Sequence, residues 1–228
     1  GYPMVPSHLV QTQVRRLQME YKYKHGTKDF VARRREPFTR ELLVNVLLGA
    51  PSGLSLGSFV LDWKSRAGRS LRGIITTLAQ TGLRKGEIAV RSAGDPCDAD
   101  CMSRGHLSWI LRGRAYDPGC APPELLANLQ VGDFAVLTPC SSKADPFDMV
   151  WGGNPIYLPF TPGEPLCAAA ALAAIELCDE LPPNAEPLSV PLFASTSSGA
   201  FSDWELDRIL RVLLRRVLPH ETASLYSW

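Results

Sequence analysis

The sequence predicts an α+β protein, mainly helical, in which helices flank a small antiparallel sheet. Three observations carry this. Apolar residues recur with mixed spacings of three and four over residues 62–80 and again over 203–218, the period of core-facing helices. The Ala-rich run from Cys167 to Leu177 reads as a further helix. Of two short β-prone runs, Asp133 to Leu137 reads as a buried strand and Ile156 to Leu158 as its partner.

In chain order, Leu9 to Lys24 reads as a helix, with Leu9, Val10, Gln13, Val14, Leu17 and Tyr21 near one face and Arg15, Arg16, Lys22 and Lys24 elsewhere. A charged stretch, Lys28 to Arg35, ends at Glu36-Pro37 and reads as an arm or interdomain linker. Residues 1–36 thus stand apart from 37–228. Taken alone, this basic segment suits a solvated charged helix as well as a DNA contact. Thr39 caps a short helix, Arg40 to Leu48, stopped by Gly49 and Pro51. The next helix runs from about Asp62 to Gln80 and turns Trp63, Ala67, Leu71, Ile74, Ile75, Leu78 and Ala79 inward. Gly82 is placed to end it in the left-handed conformation.

Residues 91–120, rich in Gly, Asp, Cys and Arg, carry no clear period; Leu107 to Leu111 suits a short strand or a helical turn. Ser141 to Asp145 lies in the long hairpin region between the two strand runs. Pro182-Pro183 ends the Ala-rich helix, and Pro187 to Phe193 reads as extended. Ser202-Asp203-Trp204-Glu205 is a capping box. The helix it starts runs to about Leu218, with Trp204, Leu206, Ile209, Leu210, Leu213, Leu214 and Val217 facing inward.

The formal net charge of +1 over 228 residues does not mark a nucleic-acid binder, but its distribution is uneven. Residues 1–40 carry nine Lys/Arg against three Asp/Glu, and residues 120–188 carry Lys143 against nine acids. A polyanion should meet the first region and avoid most of the second. The six cysteines come without a basic-then-apolar leader, so reduced thiols in the cytosol or nucleus are expected. Cys97, Cys101, Cys120 and His106 lack the paired spacing of a zinc site, Asp95, Asp98 and Asp100 suit a solvated acidic loop, and no metal or cofactor is expected. Gly152-Gly153 lacks the Lys-Ser/Thr of a P-loop, and Ser195 to Gly199 has loop composition. The longest apolar run, Cys167 to Leu177, is too short to span a bilayer, so no membrane partner is expected.

Arg84 stands out on physical grounds. It follows the end of a buried helix, so a rigid scaffold holds it while its guanidinium points outward. The fixed parallel donors of Arg suit a phosphate better than the point charge of Lys. Glu87, three residues on, can pin that guanidinium or the nearby backbone. The same pair also suits a plain stitch across a helix end.

Thr81-Gly82-Leu83-Arg84-Lys85-Gly86-Glu87-Ile88 resembles the first arginine box of tyrosine recombinases, the phage-integrase family. Phe38-Thr39-Arg40-Glu41-Leu42-Leu43 is similar to the stretch that opens their catalytic domain. Ser142-Lys143-Ala144-Asp145, with Gly153 to Pro159 after it, resembles their β-hairpin with its catalytic lysine. The style is closest to integrase-like proteins of eukaryotic mobile elements. The likeness spans roughly Pro37 to Trp228, with the arginine box its specific part.

The resemblance implies a helical catalytic domain that cleaves and rejoins DNA through a phosphotyrosine link, using neither metal nor nucleotide. It implies Arg84 as a phosphate-binding catalytic arginine, Glu87 as its support and Lys143 as the general acid. Lys143 is the single base between Arg114 and Arg208, although a solvated turn lysine fits that isolation too. Double-stranded DNA is the implied partner, met also by Arg15, Arg16, Lys22, Lys24, Arg33, Arg34 and Arg35, with a homo-oligomer assembled on the DNA. The implied location is nuclear in a eukaryote and cytoplasmic otherwise. The family's His-x-x-Arg box and nucleophilic tyrosine are not matched. His106 and His220 are followed three residues later by Trp109 and Ala223, Tyr157 falls in a strand, and Tyr226 lies upstream of where the box belongs. The expectation is an incomplete domain, inactive alone. A non-catalytic DNA-binding remnant of a mobile element, or an interaction domain whose acidic middle docks a basic partner, are the other readings.

Overall fold

The computed structural model describes residues 16, 17, 19–21, 23, 24, 37–57, 59–92, 95, 101–139, 153–179, 181, 184–195 and 199–226. The chain divides into two units, Gly1–Glu36 and Pro37–Trp228. In the first, Arg16, Leu17, Met19, Glu20, Tyr21, Tyr23 and Lys24 are helical. Arg16 pairs with Glu20 one turn on, Nε to Oε1 3.4 Å, while Leu17, Met19 and Tyr23 are exposed.

The second unit is α+β. It opens with a π-wound helix α1 (Leu42–Leu48), whose Leu42, Leu43 and Leu47 are buried. Thr39 caps its entry as expected: the Leu42 N–H donates to Thr39 Oγ1 at 3.2 Å. Helix α2 (Arg66–Thr81) starts four residues later than the spacing suggests. Asp62 instead makes a turn, its Oδ1 accepting from the Lys64 N–H at 2.9 Å, and Ser65 is the cap, its Oγ accepting from the Gly68 N–H at 3.1 Å. The inward face carries Leu71, Ile74, Ile75 and Leu78, whereas Ala79, expected inward, is exposed. Gly73 lets a neighbour come close, since a Cβ there would stand 2.6 Å from Ile175 Cδ1 and 2.9 Å from Phe193 Cε1.

The sheet holds β1 (Leu107–Leu111), β2 (Arg114–Tyr116), β3 (Phe134–Leu137) and β4 (Ile156–Pro159) in the order β2-β1-β3-β4, all antiparallel. The ambiguous Leu107–Leu111 run is thus a strand, and Leu107, Trp109 and Leu111 alternate into the core. Its hairpin to β2 turns through Arg112 (φ 55°) and Gly113 (φ 75°), the two left-handed residues of a type I′ turn. Buried Asp133 locks that turn. Its carboxylate accepts from the Arg112 N–H at 2.7 Å, from the Gln130 N–H at 2.8 Å and from the Arg112 guanidinium. Burial works to raise its pKa, but these bonds together hold it below the usual carboxylate value. The β3 and β4 runs pair as expected, with Val136 opposite Tyr157.

After a one-turn helix α3 (Pro123–Leu126), the Ala-rich run forms α4 (Ala168–Cys178). Helix α4 packs on α2, α3, β3 and β4, which is why apolar residues occupy nearly its whole circumference. Helix α5 (Asp203–Leu214) begins at the Ser202 cap, whose Oγ accepts from the Glu205 N–H at 3.2 Å, and α6 (His220–Ala223) follows. Leu206, Ile209, Leu210, Leu213 and Leu214 are buried. Two residues expected inward are not: Trp204 is 68% exposed and Val217 59%. At 100° per residue Trp204 falls about 160° from Leu206, on the opposite face. Val217 would have faced inward had the helix continued, but α5 ends at Leu214.

Candidate functional site

The Arg84 turn is built from the end of α2. Gly82 is left-handed (φ 68°) and donates its N–H to Leu78 O at 3.1 Å, the C-terminal stop its sequence position predicts. Thr81 tightens the exit: its Oγ1 donates to Thr77 O at 2.7 Å and accepts from the Leu83 N–H at 3.1 Å. Arg84 is then extended (φ −84°, ψ 150°) and leads into a short 3₁₀ turn, Lys85–Glu87. Glu87 acts on the backbone: its Oε2 accepts from the Arg84 N–H at 2.7 Å, and the Glu87 N–H returns to Arg84 O at 2.9 Å. Of the two supports open to Glu87, the structure shows the backbone one.

Two adjacent cations have opposite roles here. The Lys85 side chain is only 17% exposed; its Nζ stands 2.8 Å from Asp207 Oδ2 and donates to Asp203 O at 3.3 Å, tying the turn to the first turns of α5. The Asp203 N–H donates to Val90 O at 2.8 Å and continues the seam. Arg84 is exposed, and among the described residues no group accepts from its guanidinium. The arrangement holds the Arg84 backbone on both sides and leaves five N–H donors for an outside acceptor. A planar, permanently charged fork of that kind suits a phosphate.

The remaining expected residues stand as follows. Lys143, Arg15, Lys22, Arg33, Arg34 and Arg35 lie outside the described residues, as do Cys97, Asp98 and Asp100. Arg16 and Lys24 are exposed on the helical part of the first unit. Tyr157 projects from β4 with its ring edge-on to Phe134, centroids 6.5 Å apart, and Tyr226 leans on Phe38 at 5.5 Å. His106 is half-buried, and its Nδ1 accepts from the Ser103 N–H at 3.0 Å with Ser103 Oγ at 2.9 Å. Burial pushes its pKa down, and with Nδ1 accepting from the Ser103 N–H the neutral ring carries its proton on Nε2. Ser103 is itself fully buried and out of reach of a substrate. Among the described residues no group of three His, Cys, Asp or Glu could hold a metal ion, and no helix is long and apolar enough to cross a membrane.

Of the nine acids of the acidic middle, Asp133, Glu164, Glu176 and Asp179 are paired internally. Arg104, 3% exposed, donates to Glu176 Oε1 and Asp179 O, and Asp179 also meets Arg66 at 2.5 Å. Glu164 accepts from the Leu166 N–H at 3.1 Å and from Arg40 at 3.2 Å, which together hold its pKa below the ordinary value. Sequence reasoning missed the Lys85 bridge and the outward Trp204. The Ser202 cap sets the start of α5, and helical angles from there already place Trp204 opposite Leu206. No protein-family model, curated protein or solved structure matches the chain.

Proposed function

We propose that this chain binds double-stranded DNA as a tyrosine-recombinase-like domain and that Arg84 holds a backbone phosphate. One observation carries the reading: an exposed guanidinium with no described acceptor, on a turn clamped by Gly82, Glu87 and Lys85. Backbone clamping without side-chain engagement is what a preorganised anion site requires. In this reading Lys143 and the basic residues of the first unit add further phosphate contacts, and several copies assemble on the DNA.

The strand-transfer chemistry of the resembled family needs a tyrosine nucleophile beside Arg84. Tyr157 and Tyr226 pack against Phe134 and Phe38, which favours binding without cleavage by this chain. A nicked suicide duplex tests that part: no covalent protein–DNA adduct is expected, and an adduct would overturn it. Duplex binding tests the whole reading. Arg84→Ala should weaken it about ten-fold, the loss of one charge-assisted contact. Unchanged affinity in a folded variant defeats the reading. The rival of an acidic docking surface loses support because Asp133, Glu164, Glu176 and Asp179 are already paired with Arg112, Arg40, Arg104 and Arg66.

A further inference from the structure

Helix α5 presents a second basic surface. Trp204, Arg208, Arg211 and Arg215 follow at intervals of four, three and four residues, so they share a sector of about 60°. All four are exposed, opposite the buried leucines. Arg215 closes the helix with helical dihedrals (φ −64°, ψ −11°) and keeps the register. The Arg208 guanidinium lies 5.3 Å from the Trp204 ring centroid and rests against Gly57, where a Cβ would stand 2.2 Å from Cζ. Arg215 Nη2 is 2.6 Å from His220 Nε2, and Arg211 has no described acceptor.

Among the described residues of α5, no acid falls in that sector. Asp207 is held by Lys85, while Asp203 and Glu205 sit about 100° to either side of Trp204. Arg208 to Arg215 spans about 10 Å of helix axis, roughly three phosphate spacings along one strand. Trp204 adds what phosphate binding alone does not use. In a duplex, bases stack on one another and offer only their edges, so an exposed indole finds its counterpart in an unpaired base. Trp63 is half-buried and Trp109 buried, so Trp204 is the indole displayed to solvent among the described residues.

We propose that the Trp204–Arg215 face of α5 is a platform for single-stranded nucleic acid. One base stacks on Trp204 while Arg208, Arg211 and Arg215 track the backbone. The inference rests on the nucleic-acid reading of Arg84, whose turn adjoins the first turns of α5 through Lys85. The test is fluorescence anisotropy on the full chain with a labelled oligo-dT of about twenty nucleotides, longer than the roughly 4–16 nucleotides that an OB-fold single-strand site covers, and with a mixed-sequence duplex of equal length. Trp204→Ala should weaken oligo-dT binding about ten-fold and duplex binding less than two-fold, and Trp204→Phe should recover most of the loss. Arg84→Ala should show the reverse preference. If the wild type binds duplex but not oligo-dT, or if Trp204→Ala affects both alike or neither, the platform is refuted and the Arg84 reading stands. If poly-glutamate competes as well as oligo-dT, the stripe is a general anion surface and the inference fails. If neither nucleic acid binds, both readings fail. Trp204 is exposed and its loss removes only the Arg208 contact with its ring, so a thermal midpoint close to that of the wild type is expected for its variants.

Discussion

Removing Arg104 should destabilise the second unit more than removing its partner Glu176. Arg104 and Glu176 are 3% and 8% exposed, so solvent screens the pair little. Their connections differ. Arg104 also donates to Asp179 O and stands 3.3 Å from Asp179 Oδ2, whereas Glu176 has no other described partner. Arg104→Ala therefore strands a buried carboxylate, which costs about 3–5 kcal/mol. Glu176→Ala leaves Arg104 with Asp179 and should cost about 1–3 kcal/mol. The double variant removes the stranded charge and should be more stable than Arg104→Ala alone. Urea unfolding followed by circular dichroism gives all three values, with similar m-values required for comparison. If Glu176→Ala costs as much as Arg104→Ala, or the double variant shows the sum of the single losses, the asymmetry argued from these contacts is wrong.

Gly82→Ala should cost about 1–2 kcal/mol, read from the urea midpoint, because a Cβ there meets nothing within 4 Å and the whole penalty is the left-handed backbone. Gly82→Asn should cost less, since Asn tolerates that region. His106 sets a pH dependence. Its folded pKa lies below its unfolded value of 6.5, so the unfolded state takes up the proton first. The neutral ring's contribution is fully present above 6.5 and is lost as pH falls from there toward the folded value. His106→Gln should flatten the stability slope across that window, and an unchanged slope would exclude His106 as its source.

Much of the fold was legible because local rules and tertiary packing agree. Leu71, Ile74, Ile75 and Leu78 mark the buried face of α2 at helical spacing, and Ser202 with Glu205 marks the start of α5. The start of α2 was not legible, because Asp62 and Ser65 are both good caps and only the tertiary path chooses Ser65. Hydrophobicity favours an inward Trp204, but its helical angle puts it outside. In the candidate site, the stop at Gly82 and the outward Arg84 follow from composition and position. The partition between Arg84 and Lys85 does not, because it depends on Asp203 and Asp207 arriving from 118 and 122 residues away. Long-range charge pairing of this kind leaves no periodic trace, and the same holds for the pairs formed by Asp133, Glu164, Glu176 and Asp179.

The most direct test of the central claim is the salt dependence of duplex DNA binding by the wild type and Arg84→Ala. Affinity should fall steeply with salt in the wild type, and the variant's log–log slope should be smaller by about one, as expected when one phosphate contact is lost. Identical affinity and slope for the two proteins, with the variant folded, would contradict the assignment of Arg84 to a DNA phosphate.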